Sequence, residues 1–247
     1  MPMSEQKIYG LIGKQLSHSF SQNYFRNKFD NQGIEGDYLN FELNDISEVN
    51  DVLYRNDIKG LNVTIPYKET IIPYLSEVSA EAKEIGAVNT IQIQGEKRIG
   101  HNTDAFGFAQ MIKPFFKSHH ERAMILGTGG ASKAVDFVLE KLGCDVIFIS
   151  RTPTDDNHFG YPDINPEMMD AMKLIVNTTP VGMYPKTTDF PEIPYNLLTP
   201  NHLVFDLIYN PKETEFLQKA KAMGAVTLNG QTMLEQQAEK SWQIWNE

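Results

Sequence analysis

Lys68 and Asp104 are the two residues best placed by type to move a proton. Lys68 closes Asn62-Val63-Thr64-Ile65-Pro66-Tyr67-Lys68, and Asp104 closes His101-Asn102-Thr103-Asp104. Desolvation lowers a lysine pKa and a nearby carboxylate raises it, so a Lys with an Asp beside it can work near neutrality. Hydroxyls and amides crowd the neighbouring stretches. Gly13-Lys14-Gln15-Leu16-Ser17-His18-Ser19-Phe20-Ser21 carries three serines, and Gly86-Ala87-Val88-Asn89-Thr90 carries an amide beside a threonine. Serine hydroxyls bind a carboxylate, while amides and hydroxyls bind ring hydroxyls. Each residue alone has a plainer reading as an N-cap serine, a turn asparagine or a solvated lysine.

A second chemistry is written in Gly127-Thr128-Gly129-Gly130-Ala131-Ser132, which joins an apolar strand to a helical period. Gly127 permits a tight turn, and Gly129 lets backbone approach a pyrophosphate. The helix start at Gly130 and Ala131 supplies N–H groups and the positive end of a dipole. Ser132 stands where the dinucleotide fingerprint has Gly or Ala. The next strand ends Ser150-Arg151-Thr152 rather than in a carboxylate. A guanidinium fork with flanking hydroxyls suits a 2′-phosphate, so NADP is expected over NAD.

The elements that must position these groups alternate. Expected strands are Lys7–Ile12, Asp37–Glu42, Gly60–Val63, Ala123–Leu126, Asp145–Ser150, Leu174–Asn177, Leu203–Asp206 and Val226–Leu228. Helices are expected over Ser21–Asn31, Ile46–Asn56, Ala105–Phe116, Ala131–Leu142, Glu213–Met223 and Gln231–Trp245. Ala87–Gln94 and Lys97–Ile99 flank Gly95-Glu96 as a hairpin. This is the pattern of α/β domains built on parallel strands with helical crossovers. The expected organisation is a first domain of residues 1–103 plus 229–247 and a Rossmann-like domain of residues 104–228. The final helix, with its stripe Leu234, Ala238, Trp242 and Trp245, is expected to return to the first domain.

Composition narrows the partners. With 22 Lys+Arg against 32 Asp+Glu in 247 residues, the net charge is −10. That balance argues against nucleic acid, which calls for a basic face. No apolar run reaches the ~18–20 residues of a membrane span, and the N-terminus lacks the apolar core of a signal peptide. The lone Cys144 points to a reducing cytoplasm. No metal is expected, because the six histidines lack ligand spacing. His18 lies between two serines, but no Gly-x-Ser-x-Gly elbow supports a hydrolase.

Taken together, Asn62–Lys68, Gly86–Thr90, Asn102–Asp104, the Gly127–Ser132 turn, Asn177-Thr178-Thr179-Pro180-Val181-Gly182-Met183 and Asp206-Leu207-Ile208-Tyr209-Asn210-Pro211 resemble the shikimate dehydrogenase family. The matches follow the family's order from Ser19 to Gln237. The resemblance implies two α/β domains with a deep cleft between them, and NADPH-dependent, reversible reduction of 3-dehydroshikimate to shikimate on the route to chorismate and aromatic amino acids. It implies Lys68 as the general acid and Asp104 as its partner carboxylate. Ser19 and Ser21 would hold the substrate carboxylate, Thr64, Asn89 and Gln237 the ring hydroxyls, and Tyr209 would line the cleft. Gly127, Thr128, Gly129, Gly130, Ala131, Ser150, Arg151, Thr152, Thr178 and Met183 would bind NADP. A monomer or homodimer is expected.

The chain departs from the family in places. Gln22 replaces a frequent proline, which would loosen the serine loop. Gly230-Gln231-Thr232 replaces a Gly-Leu-Gly, and Pro153–Lys173 shows no helical period. The alternatives are a quinate/shikimate dehydrogenase of broader substrate and NAD use, against which the paired serines speak, and a ligand-binding relative without catalysis, against which Lys68 and Asp104 speak.

Overall fold

The computed structural model describes residues 7–17 and 19–247. His18 and the polar residues 1–6 lie outside the described residues. The chain divides into two compact units, one running to Thr103 and rejoined by Ala238–Glu247, the other spanning Asp104–Gln237.

The first unit contains β1 (Ile8–Gly13), α1 (Phe20–Gln32), β2 (Asp37–Glu42), α2 (Asn50–Leu53), β3 (Ile58–Val63), β4 (Glu77–Val78), α3 (Ala80–Ile85), β5 (Thr90–Gln94) and β6 (Lys97–His101). Its sheet runs β2-β1-β3-β5-β6-β4. β1 is parallel to β2 and β3, but β5 is antiparallel to β3 and β6, so the sheet is mixed rather than parallel throughout. The expected helix over 46–56 is a 3-10 turn, Ile46–Val49, running into the single turn of α2. Asp45 caps that turn by accepting from Ser47 N–H at 2.9 Å. All six residues of β1 are buried, as a central strand covered on both faces requires.

The second unit contains α4 (Asp104–Ile112), β7 (Arg122–Leu126), α5 (Gly130–Lys141), β8 (Asp145–Ile149), β9 (His158–Phe159), α6 (Pro166–Ala171), β10 (Leu174–Asn177), β11 (Leu203–Asp206), α7 (Glu215–Ala222), β12 (Val226–Leu228) and the start of α8 (Gln231–Trp245). Its sheet, β12-β11-β10-β7-β8-β9, is wholly parallel. Counted from β7, the order is 3-2-1-4-5-6, the doubly wound dinucleotide-binding arrangement. α4 stops at Ile112 instead of Phe116, because Pro114 has no N–H to continue the ladder. The stretch 153–173 does hold a helix, α6, capped by the Asn165 side chain accepting from Met168 N–H at 2.8 Å.

α8 belongs to both units. Its later residues Ala238, Trp242 and Trp245 pack with Tyr9, Leu11, Phe25, Phe29 and Tyr38 in the first. Trp245 lies 5.2 Å from the rings of both Tyr9 and Phe25. Glu239 adds an ion pair to Lys28 at 2.7 Å and a hydrogen bond from Tyr24. Earlier along α8, Met233 and Gln237 press on α4 in the second unit. There Gly107 allows the approach, since a Cβ would sit 2.5 Å from the Met233 carbonyl.

Candidate functional site

In the first unit, the chain leaves β1 for β2 on one side and reaches β3 on the other, so the carboxyl ends of β1 and β3 form the switch point where open sheets bind ligands. The loop after β1 carries Ser19 and leads into Ser21; the segment after β3 carries Thr64 and Lys68. The two segments touch: Thr64 N–H donates to the Ile12 carbonyl at 2.9 Å, and a Cβ on Gly13 would meet Thr64 Cγ2 at 2.7 Å. β5 is antiparallel to β3, so its entry residue Asn89 falls at the same end. The Asn89 carbonyl accepts from Val63 N–H at 2.8 Å. Five predicted residues, Ser19, Ser21, Thr64, Lys68 and Asn89, thus share one edge of one sheet.

The serine loop is fastened. Leu16 donates its N–H to Glu42 Oε1 at 2.6 Å, and its carbonyl accepts from Asn40 Nδ2 and Ser19 N–H, both at 3.0 Å. Gln22 does not leave the loop slack. It donates to the Tyr38 carbonyl and accepts from Asn40, both at 3.3 Å. Ser19 sits at the N-cap of α1 without capping it. Its Oγ is buried and has no hydrogen-bond partner among the described residues. An unsatisfied buried hydroxyl at a helix N-terminus suits an anionic oxygen, so the donors present fit a carboxylate.

Lys68 is half-buried in the turn after β3. The preceding Tyr67 is buried and donates its hydroxyl to the Leu43 carbonyl at 2.7 Å, while the Lys68 carbonyl accepts from Val88 N–H at 2.7 Å. Backbone on both sides of the lysine is therefore held.

Beneath this edge lies a polar network that sequence reading left out. Asn62, in the buried strand β3, accepts from Tyr38 Oη at 2.9 Å and donates to Ser241 Oγ at 2.9 Å, Thr90 Oγ1 at 3.1 Å and the Asn89 carbonyl at 3.2 Å. Asn89 Oδ1 accepts from Thr103 N–H at 2.7 Å, which fixes the orientation of its amide. An asparagine inside an apolar strand, where asparagine is depleted, was the available signal for Asn62. Ser241 gave none, because hydrophobic periodicity selects Ala238, Trp242 and Trp245 as the inner stripe. The structure buries Gln237, Ser241 and Ile244 on that face as well.

In the second unit, Asp104 is buried in the first turn of α4, where the helix dipole favours a carboxylate. Gln237, buried on α8, faces Gly107 one turn further along α4. Tyr209 is half-buried in the segment after β11. That segment starts from Asp206, fully buried, which accepts from Asn177 Nδ2 at 3.0 Å, Ile208 N–H at 3.1 Å and Thr214 Oγ1 at 2.6 Å. Burial pushes the Asp206 carboxyl up to about 6 against the pull of these donors.

The switch point of the second sheet lies between β7 and β10. Gly127 follows β7 at φ +103°, and a Cβ there would lie 2.8 Å from Thr179 Cγ2 and 2.9 Å from Thr178 Oγ1. Thr178 donates its hydroxyl to the Leu126 carbonyl at 2.7 Å, binding the two strand ends. Gly129 is the N-cap of α5, with no side chain capping the helix and open space where a Cβ would stand. Thr128 is exposed, and Gly130 and Ala131 begin α5 half-buried. Ser132 turns its hydroxyl back to the Gly129 carbonyl at 2.6 Å and so tightens the turn rather than obstructing it. An uncapped helix start with unobstructed backbone fits a pyrophosphate. Past β8, Ser150 and Thr152 hydrogen-bond each other at 3.2 Å and leave Arg151 exposed at the tip. Met183 is 43% exposed after Gly182, which has φ +96°. Among the described residues, no group of three or more His, Cys, Asp or Glu could hold a metal, and no helix is long and apolar enough to cross a membrane.

Comparison with known proteins finds relatives along nearly the whole chain. Residues 11–91 match the shikimate dehydrogenase substrate binding domain. Across 98% of the chain and 92% of the relative, the sequence is 40% identical to a shikimate dehydrogenase (NADP(+)) of Methanococcus maripaludis. The crystal structure of shikimate dehydrogenase from Aquifex aeolicus superposes with a TM-score of 0.88 at 36% identity, covering 100% of this chain and 94% of that one. The enzyme of Thermus thermophilus in complex with NADP(H) and shikimate gives 0.86 at 30% identity, covering 97% and 93%. The chain belongs to the shikimate dehydrogenase family.

Proposed function

We propose that this chain catalyses the reversible, NADPH-dependent reduction of 3-dehydroshikimate to shikimate, in the pathway to chorismate and aromatic amino acids. The observation that carries the reading is similarity along nearly the whole chain to proteins named for that activity. A cytoplasmic enzyme, monomeric or homodimeric, goes with it. So does the division of labour proposed here: residues 1–103 with 229–247 handle substrate and residues 104–228 handle cofactor.

When bound, the nicotinamide supplies the hydride. The N-terminal turn of α5, with Gly127, Thr128, Gly129, Gly130 and Ala131, would take the pyrophosphate, and Ser150, Arg151 and Thr152 the phosphorylated ribose. Thr178 and Met183 would flank the cofactor. In the proposed chemistry, Lys68 gives a proton to the oxygen that gains negative charge as the carbonyl is reduced, and retrieves it in the reverse direction. Asp104 holds a substrate hydroxyl. Ser19 and Ser21 take the carboxylate, and the orphaned Ser19 hydroxyl supports that role. Thr64, Asn89 and Gln237 grip ring hydroxyls, with Tyr209 beside them.

The test is a spectrophotometric assay of NADP⁺ and NAD⁺ reduction with shikimate and with quinate. Turnover of shikimate with NADP⁺ well above the other three combinations is expected. Equal use of quinate would move the reading to the broader enzyme, and no turnover of either would remove it.

A further inference from the structure

Two segments of the second unit leave adjacent strands side by side, and the proposed chemistry gives them different partners. β10 ends at Asn177 and β11 at Asp206, and these two residues face each other across the parallel pair. From Asn177 the chain runs through Thr178 to Met183, proposed to flank the cofactor. From Asp206 it runs to Tyr209, proposed to stand beside the substrate. Backbone bonds join the segments at their ends, from Leu207 N–H to the Asn177 carbonyl at 3.0 Å and from Tyr184 N–H to the Asn210 carbonyl at 3.2 Å. Between those ends they pack closely: a Cβ on Gly182 would lie 3.7 Å from Thr214 Cβ and 3.9 Å from Ile208 Cδ1.

One carboxylate fastens the middle. Asp206 Oδ1 accepts from Asn177 Nδ2 on the cofactor side at 3.0 Å and from Ile208 N–H on the substrate side at 3.1 Å, while Oδ2 accepts from Thr214 Oγ1 at 2.6 Å. Thr214 Oγ1 in turn accepts from Leu217 N–H at 3.3 Å at the start of α7. The substrate-side segment is thus pinned before and after Tyr209. On the other side, Asn177 Oδ1 accepts from the Thr179 N–H at 3.1 Å and from the Thr179 hydroxyl at 2.7 Å, and Thr179 Oγ1 accepts from Val181 N–H at 3.2 Å. Thr179 is also the side chain that a Cβ on Gly127 would meet at 2.8 Å, so these contacts extend to the glycine turn.

Asp206 is fully buried, and no cation pairs with it among the described residues. Burial opposes its charge, so a neutral side chain would relieve that cost. A carboxylate offers acceptors on both oxygens and no donor of its own, which lets three donors arriving from three segments all end on it.

We propose that Asp206 is a positioning residue for hydride transfer, holding the Thr178–Met183 segment in register with the segment that carries Tyr209. This rests on the roles proposed above for those residues. Asp206 touches neither reactant: it acts through Asn177 on the cofactor side and through Ile208 and Thr214 on the substrate side.

Steady-state kinetics and thermal melts of Asp206→Ala, Asp206→Asn and Asn177→Ala test the proposal in the intact enzyme. Asp206→Ala frees both segments, so KM for NADP⁺ and KM for shikimate each rise about tenfold. Its kcat falls about 10²-fold, the loss that a displacement of about 1 Å brings. Asp206→Asn keeps an oxygen for Asn177 and Ile208, so all three constants stay within about threefold of wild type. Asn177→Ala frees the cofactor segment alone: KM for NADP⁺ rises about tenfold, and that for shikimate stays within about twofold. Folded Asp206→Ala with wild-type constants overturns the proposal, since a carboxylate that only stabilises the fold changes the melt and nothing else. So does an Asp206→Asn as impaired as alanine, or an Asn177→Ala that moves both KM values equally or neither. Where Asp206→Ala does not fold, the other two variants decide on the same terms. Wild-type enzyme that turns over shikimate in those same runs leaves the functional reading standing, whereas wild-type inactivity removes both.

Discussion

The two switch points solve the same problem with different materials. In the first unit, the groups that would meet a small polyhydroxylated acid rest on a buried lattice of Tyr38, Asn62, Thr90, Thr103 and Ser241, each side chain held by others. In the second, the edge is backbone: an uncapped helix start, Gly127 at positive φ, and an exposed Arg151. A ring with several hydroxyls has to be read by side chains of fixed polarity, which must be locked by partners. A phosphate accepts from any N–H, so geometry alone serves it. Rigidity in the first case is bought with hydrogen bonds, and in the second with glycine.

The largest effect should come from the first edge. Lys68→Ala is expected to lower kcat by about 10²–10⁴ while leaving shikimate binding by calorimetry within a few-fold, because a proton donor acts mainly in the transition state. Near-normal turnover would strip Lys68 of its role. At the second edge, two alanine substitutions should separate fold from binding. Gly127→Ala meets both a positive φ and Thr178 and Thr179, so thermal unfolding should show a loss of about 1–3 kcal/mol. Gly129→Ala has room and an extended backbone; it should leave stability within about 0.5 kcal/mol and raise the KM for NADP⁺ instead.

Arg151→Ala is smaller again: KM for NADPH should rise about tenfold, with that for NADH little changed, since a single exposed charge-assisted contact is lost. Equal effects on both cofactors would remove the 2′-phosphate role. The smallest expected change is one of pH. His120, buried in the second unit, accepts from Lys117 N–H at 2.9 Å, and burial lowers its pKa from 6.5 to about 4. The unfolded chain therefore binds the extra proton first, and the stability this residue contributes is lost as pH falls from about 6.5 toward 4. The stability gap between wild type and His120→Gln should be widest near pH 7 and narrow steadily through that window. A gap independent of pH would show that the ring does not titrate on unfolding.

The difference between the two edges also governs what could be read in advance. Apolar strands flanked by glycine or polar turns were legible even when short, and Asp37–Glu42, Leu174–Asn177, Leu203–Asp206 and Val226–Leu228 stand where the sequence pattern put them. α3 and α6 have six residues each, too few to display a 3.6-residue period. The mixed pairing of β5 follows from a neighbour distant in sequence. The glycine turn was legible because its chemistry is local, a strand, a turn and a helix in one stretch. The lattice was not, since Tyr38, Asn62, Thr90, Thr103 and Ser241 are scattered over two hundred residues, and a polar residue on a buried face defeats a hydrophobic pattern. Gln22 shows the same limit: its partner Asn40 is visible only in the fold.

The double passage of α8 also sets a timetable for making the protein. The first unit's aromatic cluster needs Trp245, and its polar lattice needs Ser241, yet the ribosome must first produce all of Asp104–Gln237. At about 5–20 residues per second, that interval is on the order of ten seconds. During it the nascent first unit waits with Tyr9, Phe25 and Tyr38 uncovered, and the second unit, synthesised later, has nearly all of its chain before the first can close.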